Sequence, residues 1–83
     1  MSIYLGAVID VRRRLARLSK KKLGELANVS RTTIAGWIAG QVAPQGNNLT
    51  ALAVAFGTTA TVLLAEAEAR RAAAEGAWNS FKE

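Results

Sequence analysis

Eighty-three residues, 51% of them hydrophobic and 20% charged, suffice for one small core and exclude a two-domain enzyme within this stretch. Cysteine and histidine are both absent. With them go a disulfide framework, a thiolate or imidazole metal site, a cysteine nucleophile and the commonest general base. The six carboxylates are too scattered to suggest a catalytic pair, so neither an enzyme, a cofactor nor a metal is expected.

The net charge of +5 is unevenly placed. Residues 1–31 hold eight cations (Arg12, Arg13, Arg14, Arg17, Lys20, Lys21, Lys22 and Arg31) against Asp10 and Glu25, a balance of +6. The 34 residues from Thr32 to Ala65 carry no charge, and the remainder has a balance of −1. A basic block beside a neutral one implies a polyanionic partner, either nucleic acid or an acidic membrane surface.

Helical signals dominate from the first residues. Leu5, Val8, Ile9, Val11, Leu15 and Leu18 recur at three- and four-residue steps, opposite the arginines, which predicts a first helix over Ser2 to Arg17. No basic segment precedes its apolar start, so it does not read as a secretory signal.

Ser19 is a hydroxyl N-cap, and Leu18 and Leu23 flank it as a hydrophobic staple. Ser30 repeats the device with Val29 and Ile34. Asn28 stands where a helix ends in the left-handed conformation. The expected order is helix Lys20–Ala27, turn Asn28-Val29-Ser30 and helix Arg31–Ala39, with Gly40 closing the second helix.

Gln41 to Asn48 contains Pro44, Gly46 and two asparagines and reads as a loop. Asn47 or Asn48 then caps a helix from Leu49 to Phe56, ended by Gly57. Thr58 or Thr59 opens an alanine-rich helix that runs to about Glu75, with Glu66–Arg70 and Glu68–Arg71 as ion pairs, until Gly76 interrupts it. Trp78 and Phe81 form a small apolar patch beyond. The window Leu49 to Ala67 is nearly apolar enough for a membrane span, but Gly57, Thr58 and Thr59 divide it into two short core helices.

Two short helices joined by a tight turn match the helix-turn-helix arrangement, whose second helix lies in the DNA major groove. Leu23, Ala27, Val29, Ile34 and Trp37 are the apolar residues that hold the pair together, and Gly24 is the small residue at their crossing. Trp37, three residues after Ile34, is expected in the core rather than as a stacking residue. The segment LSKKKLGELANVSRTTIAGWIAG resembles the lambda repressor/Cro (XRE-type) family of phage and bacterial regulators. NLTALAVAFGTTATVLL is similar to that family's fourth and fifth helices, so the resemblance covers about Leu5 to Leu64.

The resemblance implies an all-α, five-helix repressor-like domain over residues 1–64, followed by a helical extension over 65–83 without a family counterpart. It implies double-stranded DNA as partner, with Arg31, Thr32, Ala35 and Gly36 toward base edges and Thr33 and Gln41 toward the backbone. Lys20 replaces the glutamine that usually braces a phosphate, and Ser19 and Lys21 join it as phosphate contacts. Ile38 stands where many members have a glutamate paired with an arginine of the first helix, so Arg13 is expected to lose its internal partner and face phosphate.

Electrostatics supports the phosphate role separately. Lys20, Lys21 and Lys22 fill the first turn of a helix, where each cation costs roughly 0.3–1 kcal/mol against the macrodipole. A phosphate there reverses that penalty. Ala51 and Val54, where the fourth helix is usually charged, leave an apolar outer face, and with Val62 they are the expected homodimer surface.

The function expected is a sequence-specific transcriptional regulator of Cro or repressor type, cytoplasmic, acting by occlusion of an operator, with no membrane or small-molecule partner. The alternatives are a protein-interaction module, such as an antitoxin or phage adaptor, and an excisionase-like recombination factor.

Overall fold

The computed structural model describes residues 3–82, with side chains for residues 3–79. The first residue of the expected opening helix, Ser2, and the side chain of Phe81 lie outside the described residues. Five helices follow one another: α1 (Ile3–Leu15), α2 (Lys20–Ala27), α3 (Arg31–Ile38), α4 (Gly46–Ala55) and α5 (Ala60–Lys82). The fold is all-α, as the periodicity requires.

Each helix sends one fully buried side chain to the centre: Ile9, Leu23, Ile34, Leu52 and Leu63. Each contributes about 1.5–3 kcal/mol by leaving water. Val8, Ala27, Trp37, Leu49 and Ala53 surround them, and Trp37 is a core residue as its spacing predicted. The stripe of α1 is shorter than expected. Val11 is exposed and Leu15 is 78% exposed, because the part of α5 beside them offers Ala69 and Ala73, too short to cover them.

Four helices end alike. Arg17, Asn28, Gly40 and Gly57 adopt positive φ, and the next residue's N–H reaches back five residues: Leu18 to the Arg13 carbonyl (3.0 Å), Val29 to Gly24 (2.8 Å), Gln41 to Gly36 (3.1 Å) and Thr58 to Ala53 (2.9 Å). Arg17 (φ 58°) therefore terminates α1 instead of continuing it, and the helix stops two residues short of the expected end.

Other boundaries differ from the sequence expectation too: α3 ends at Ile38 and α4 at Ala55, each one residue early, and two differences are larger. α4 begins at Gly46, because the Gln45 carbonyl already accepts the N–H groups of Asn48 (2.8 Å) and Leu49 (3.4 Å). Asn47 and Asn48 thus lie inside the first turn and neither caps it. α5 opens on Thr59, whose hydroxyl accepts the Val62 N–H at 3.2 Å, and it runs through Gly76 to Lys82. An isolated glycine costs a helix about 1 kcal/mol but does not break it unless it takes the left-handed conformation. The expected boundary between residues 64 and 65 falls inside this unbroken helix.

The apolar window is broken as Gly57 predicts: α4 and α5 meet at 93°, and among the described residues no single helix is long and apolar enough to cross a membrane. Close backbone approaches hold the fold on the other side. A Cβ on Gly6 would lie 2.5 Å from the carbonyl oxygens of Trp37 and Ile38, and one on Gly24 would lie 2.7 Å from that of Val29. Gly24 fits its expected role, and it sets the tightness of the turn between α2 and α3.

Candidate nucleic-acid interface

Capping determines where the cations point. The Ser19 hydroxyl accepts the Lys22 N–H at 2.9 Å, and the Ser30 hydroxyl accepts the Thr33 N–H at 3.0 Å. Both helices of the pair therefore start abruptly, each from an extended serine. The earliest N–H groups of each helix have no intrahelical acceptor and face outward with the side chains of the first turn.

Between those two starts lies an open cleft of about 530 Å³ lined by Arg13, Ser19, Lys20, Lys21, Arg31 and Ala35. Six residues that the sequence reading assigned to DNA contact thus share one concavity. Lys21 and Arg31 are exposed, while Lys20 is half-buried. The remaining assigned residues follow α3. Thr32 is exposed on its outer face, Gly36 is half-buried one turn later, and Gln41 is exposed just past the helix end. The Thr33 hydroxyl lies 2.9 Å from that of Ser30, so it belongs to the cap of α3 as well as to its surface.

Arg13 corrects an expectation, for it has internal partners. Its guanidinium donates to Asp10 through Nε (3.2 Å) and NH2 (2.8 Å), and to the Leu18 carbonyl oxygen through NH1 (2.9 Å). Asp10, one turn earlier on α1, supplies the carboxylate that Ile38 cannot. The Arg13 side chain is 15% exposed and fastens the turn between α1 and α2 while bordering the cleft. The hydrogen bond from Arg13 holds the Asp10 carboxyl below its usual range; burial opposes this, and Arg14, Arg13 and Lys20 add attraction.

A second ion pair differs from its expected form. Glu66 reaches across to α1 and accepts from Arg12 at Nε (3.0 Å) and NH2, instead of pairing with Arg70 along α5. The two-pronged bond lowers the Glu66 carboxyl and raises the Arg12 guanidinium, with partial burial opposing both. Its 54-residue separation left no local signal. Glu68–Arg71 forms as expected, and Arg71 also holds Glu75.

On α4 and α5, Val54 is 72% exposed and Val62 39% exposed, whereas Ala51 is half-buried against the core. Two of the three residues expected at a dimer surface are therefore open. Ala51 belongs mainly to the interior.

Residues 10–63 match the model of the helix-turn-helix family. Among solved structures, the chain is similar to the clp gene regulator ClgR of Corynebacterium glutamicum (20% identity, 98% of this chain and 86% of that one, TM-score 0.90), a likeness of fold. That match includes nearly all of α5, so the extension beyond residue 64 has a structural counterpart. The DNA-binding domain of the P22 c2 repressor is similar at 32% identity over 72% of this chain and 79% of its own (TM-score 0.71). The same repressor in complex with a synthetic operator is similar at 30% identity over 71% and 89% (TM-score 0.68). No curated protein matches the chain. The family match spans well over half of the residues and falls on the capped α2–α3 pair: the chain belongs to the helix-turn-helix family, in its lambda repressor/Cro (XRE) type.

Proposed function

We propose that this protein is a transcriptional regulator that binds double-stranded DNA, with α3 in the major groove and the cations of the cleft on the flanking phosphates. The observation that carries the reading is the gathering of Ser19, Lys20, Lys21 and Arg31 at the starts of α2 and α3. Four lysine and arginine residues in two helix-start turns oppose the macrodipoles in the free protein, and a phosphate turns that opposition into attraction. The Ser19 hydroxyl accepts one N–H and keeps its proton for a phosphate oxygen. The similarity to a repressor solved on its operator supports the same use of the surface.

In this reading Arg31 makes a bidentate contact to a guanine edge, worth about 1–3 kcal/mol of discrimination. Thr32, Ala35 and Gly36 complete the reading face, and Lys20, Lys21, Thr33 and Gln41 hold the backbone. Arg13 contributes long-range attraction and positions the start of α2. The protein acts in the cytoplasm by covering an operator, as a phage Cro or repressor would, without a catalytic step or cofactor.

A homodimer fits this reading. A folded chain of 8.8 kDa is expected to expose about 4,800 Å², and this one exposes 5439 Å². The excess of roughly 650 Å² accompanies the reach of α5 past the core, and a standard interface takes ~800 Å² from each partner. Val54, Val62 and the outer face of α5 supply apolar surface for it.

Selection from randomised duplex DNA followed by footprinting tests the proposal. Two protected half-sites about 10 base pairs apart are expected. Sedimentation as a monomer at micromolar concentration, free and on the selected duplex, would contradict the dimer, and binding without sequence preference would contradict the regulator.

A further inference from the structure

The seven glycines divide by cause. A Cβ would collide with backbone at Gly6 and Gly24, and with Ile3 at Gly40, where it would come within 2.8 Å. Gly40, Gly46 and Gly57 also have positive φ. Gly36 and Gly76 have neither reason. At Gly36 an added Cβ would touch only the Gln41 side-chain oxygen, at an ordinary 3.8 Å, and at Gly76 it would touch nothing. Alanine fits both places and favours the helix, so nothing inside the fold accounts for glycine at either.

Gly36 differs from Gly76 in where it lies. Ile34 and Trp37 turn inward on α3, and the opposite face consists of Arg31, Thr32, Ala35, Gly36 and Ala39. Past Thr32 that face carries at most a methyl group. Arg31 and Ala35 of the same face line the cationic cleft. A major groove about 8.5 Å deep admits a helix, and the depth reached at each position depends on the side chain between its backbone and the base edges.

We propose that Gly36 is a specificity-determining position: its missing Cβ lets the α3 backbone seat against a thymine, whose C5-methyl occupies the space an alanine methyl would fill. This rests on the reading of α3 as the DNA-facing helix. It goes beyond that reading by naming the base edge and by separating affinity from stability. The Ala35 methyl and the bare Gly36 backbone form an apolar patch suited to a thymine methyl and offer no side-chain donor or acceptor of their own; the polar group beside them is the Gln41 amide, whose oxygen lies 3.8 Å from where a Gly36 Cβ would be.

The test uses the full chain and the duplex recovered by selection. Gly36→Ala and Gly76→Ala are both expected to raise Tm, by about 2–6 °C. Only Gly36→Ala is expected to lose affinity for the selected duplex, by about tenfold. Exchanging thymines for uracil one at a time should weaken the wild type several-fold at one position and restore the Gly36→Ala variant at that same position, because the methyl has moved from DNA to protein. Unchanged affinity of Gly36→Ala, or a loss that no uracil relieves, overturns the proposal. A wild type that shows no sequence preference overturns the DNA reading beneath it, and that result is distinguishable because it appears before any variant is made.

Discussion

The α2–α3 pair and the α1–α5 pair solve the same packing problem differently. α2 and α3 are joined by short-range devices: two serine caps, a left-handed Asn28, a glycine pressed on the turn, and the buried Leu23, Ile34 and Trp37. α1 and α5 share the core through Val8, Ile9 and Leu63 and are tied across the chain by Arg12 and Glu66, with Val11 and Leu15 left largely uncovered beside small alanines. The first pair is capped at both helix starts and closely packed around its turn. The second leaves apolar area open beyond its buried part and carries its ion pair at the edge of solvent. Close packing and capping lie beside the cationic cleft, and the exposed apolar area lies on the other pair.

The largest expected effect strikes the first pair. Trp37→Ala removes a buried aromatic from the centre and should cost about 3–5 kcal/mol, enough to abolish cooperative unfolding in a chain of this size. Leu15→Ala, on the open side of α1, should change stability by less than about 0.5 kcal/mol. Thermal melts followed by circular dichroism decide, and equal losses would erase the contrast between the pairs.

The caps come next. Ser19→Ala and Ser30→Ala should each cost about 1 kcal/mol, since each removes the acceptor of an N–H at a helix start. Denaturant titration with an unchanged slope would verify that the loss is local. At a similar magnitude and with the opposite sign, Arg17→Gly should stabilise by roughly 0.5–1 kcal/mol, because Arg17 occupies a conformation that disfavours a Cβ.

The smallest effect concerns the second pair. Glu66→Gln should cost no more than about 1 kcal/mol, as both side chains reach solvent. Asp10, Glu66 and Glu68 all ionise below their usual range in the folded chain. Groups shifted this way contribute stability above the ordinary carboxylate range, and that stability is lost as pH falls through their lowered folded values. Tm should therefore be flat above about pH 5 and fall in acid, and Glu66→Gln should make the fall shallower. A melt series from neutral to strongly acidic pH tests this.

Legibility in the sequence follows the same division. The α2–α3 pair was readable because its signals are local: Ser19 and Ser30 cap, Leu18 with Leu23 and Val29 with Ile34 bracket them, and Asn28 turns the chain. Most of the residues assigned to DNA contact derive from that pair, and the structure brings Arg31, Lys20 and Lys21 to one cleft. What escaped reading depends on distant residues or on conformation. Glu66 has Arg70 one turn away, yet it finds Arg12 on another helix. Arg13 has Asp10 within reach, but only the close of α1 at Arg17 brings the Leu18 carbonyl to it as well. Arg17 carries no residue signal for a left-handed turn, and Asn47 and Asn48 look like caps until Gln45 begins the helix ahead of them. Gly6 escaped because its reason is α3, more than thirty residues on.

The central claim is that the start of α3 reads sequence while the cations beside it hold phosphate. The measurement that meets it most directly is the affinity of wild type and Arg31→Ala for the selected duplex and for a scrambled one of equal length, across a range of salt. The account predicts a loss of about 10- to 100-fold on the selected duplex with little change on the scrambled one. Equal loss on both duplexes, accompanied only by a shallower salt slope, would make Arg31 another phosphate contact and contradict the claim.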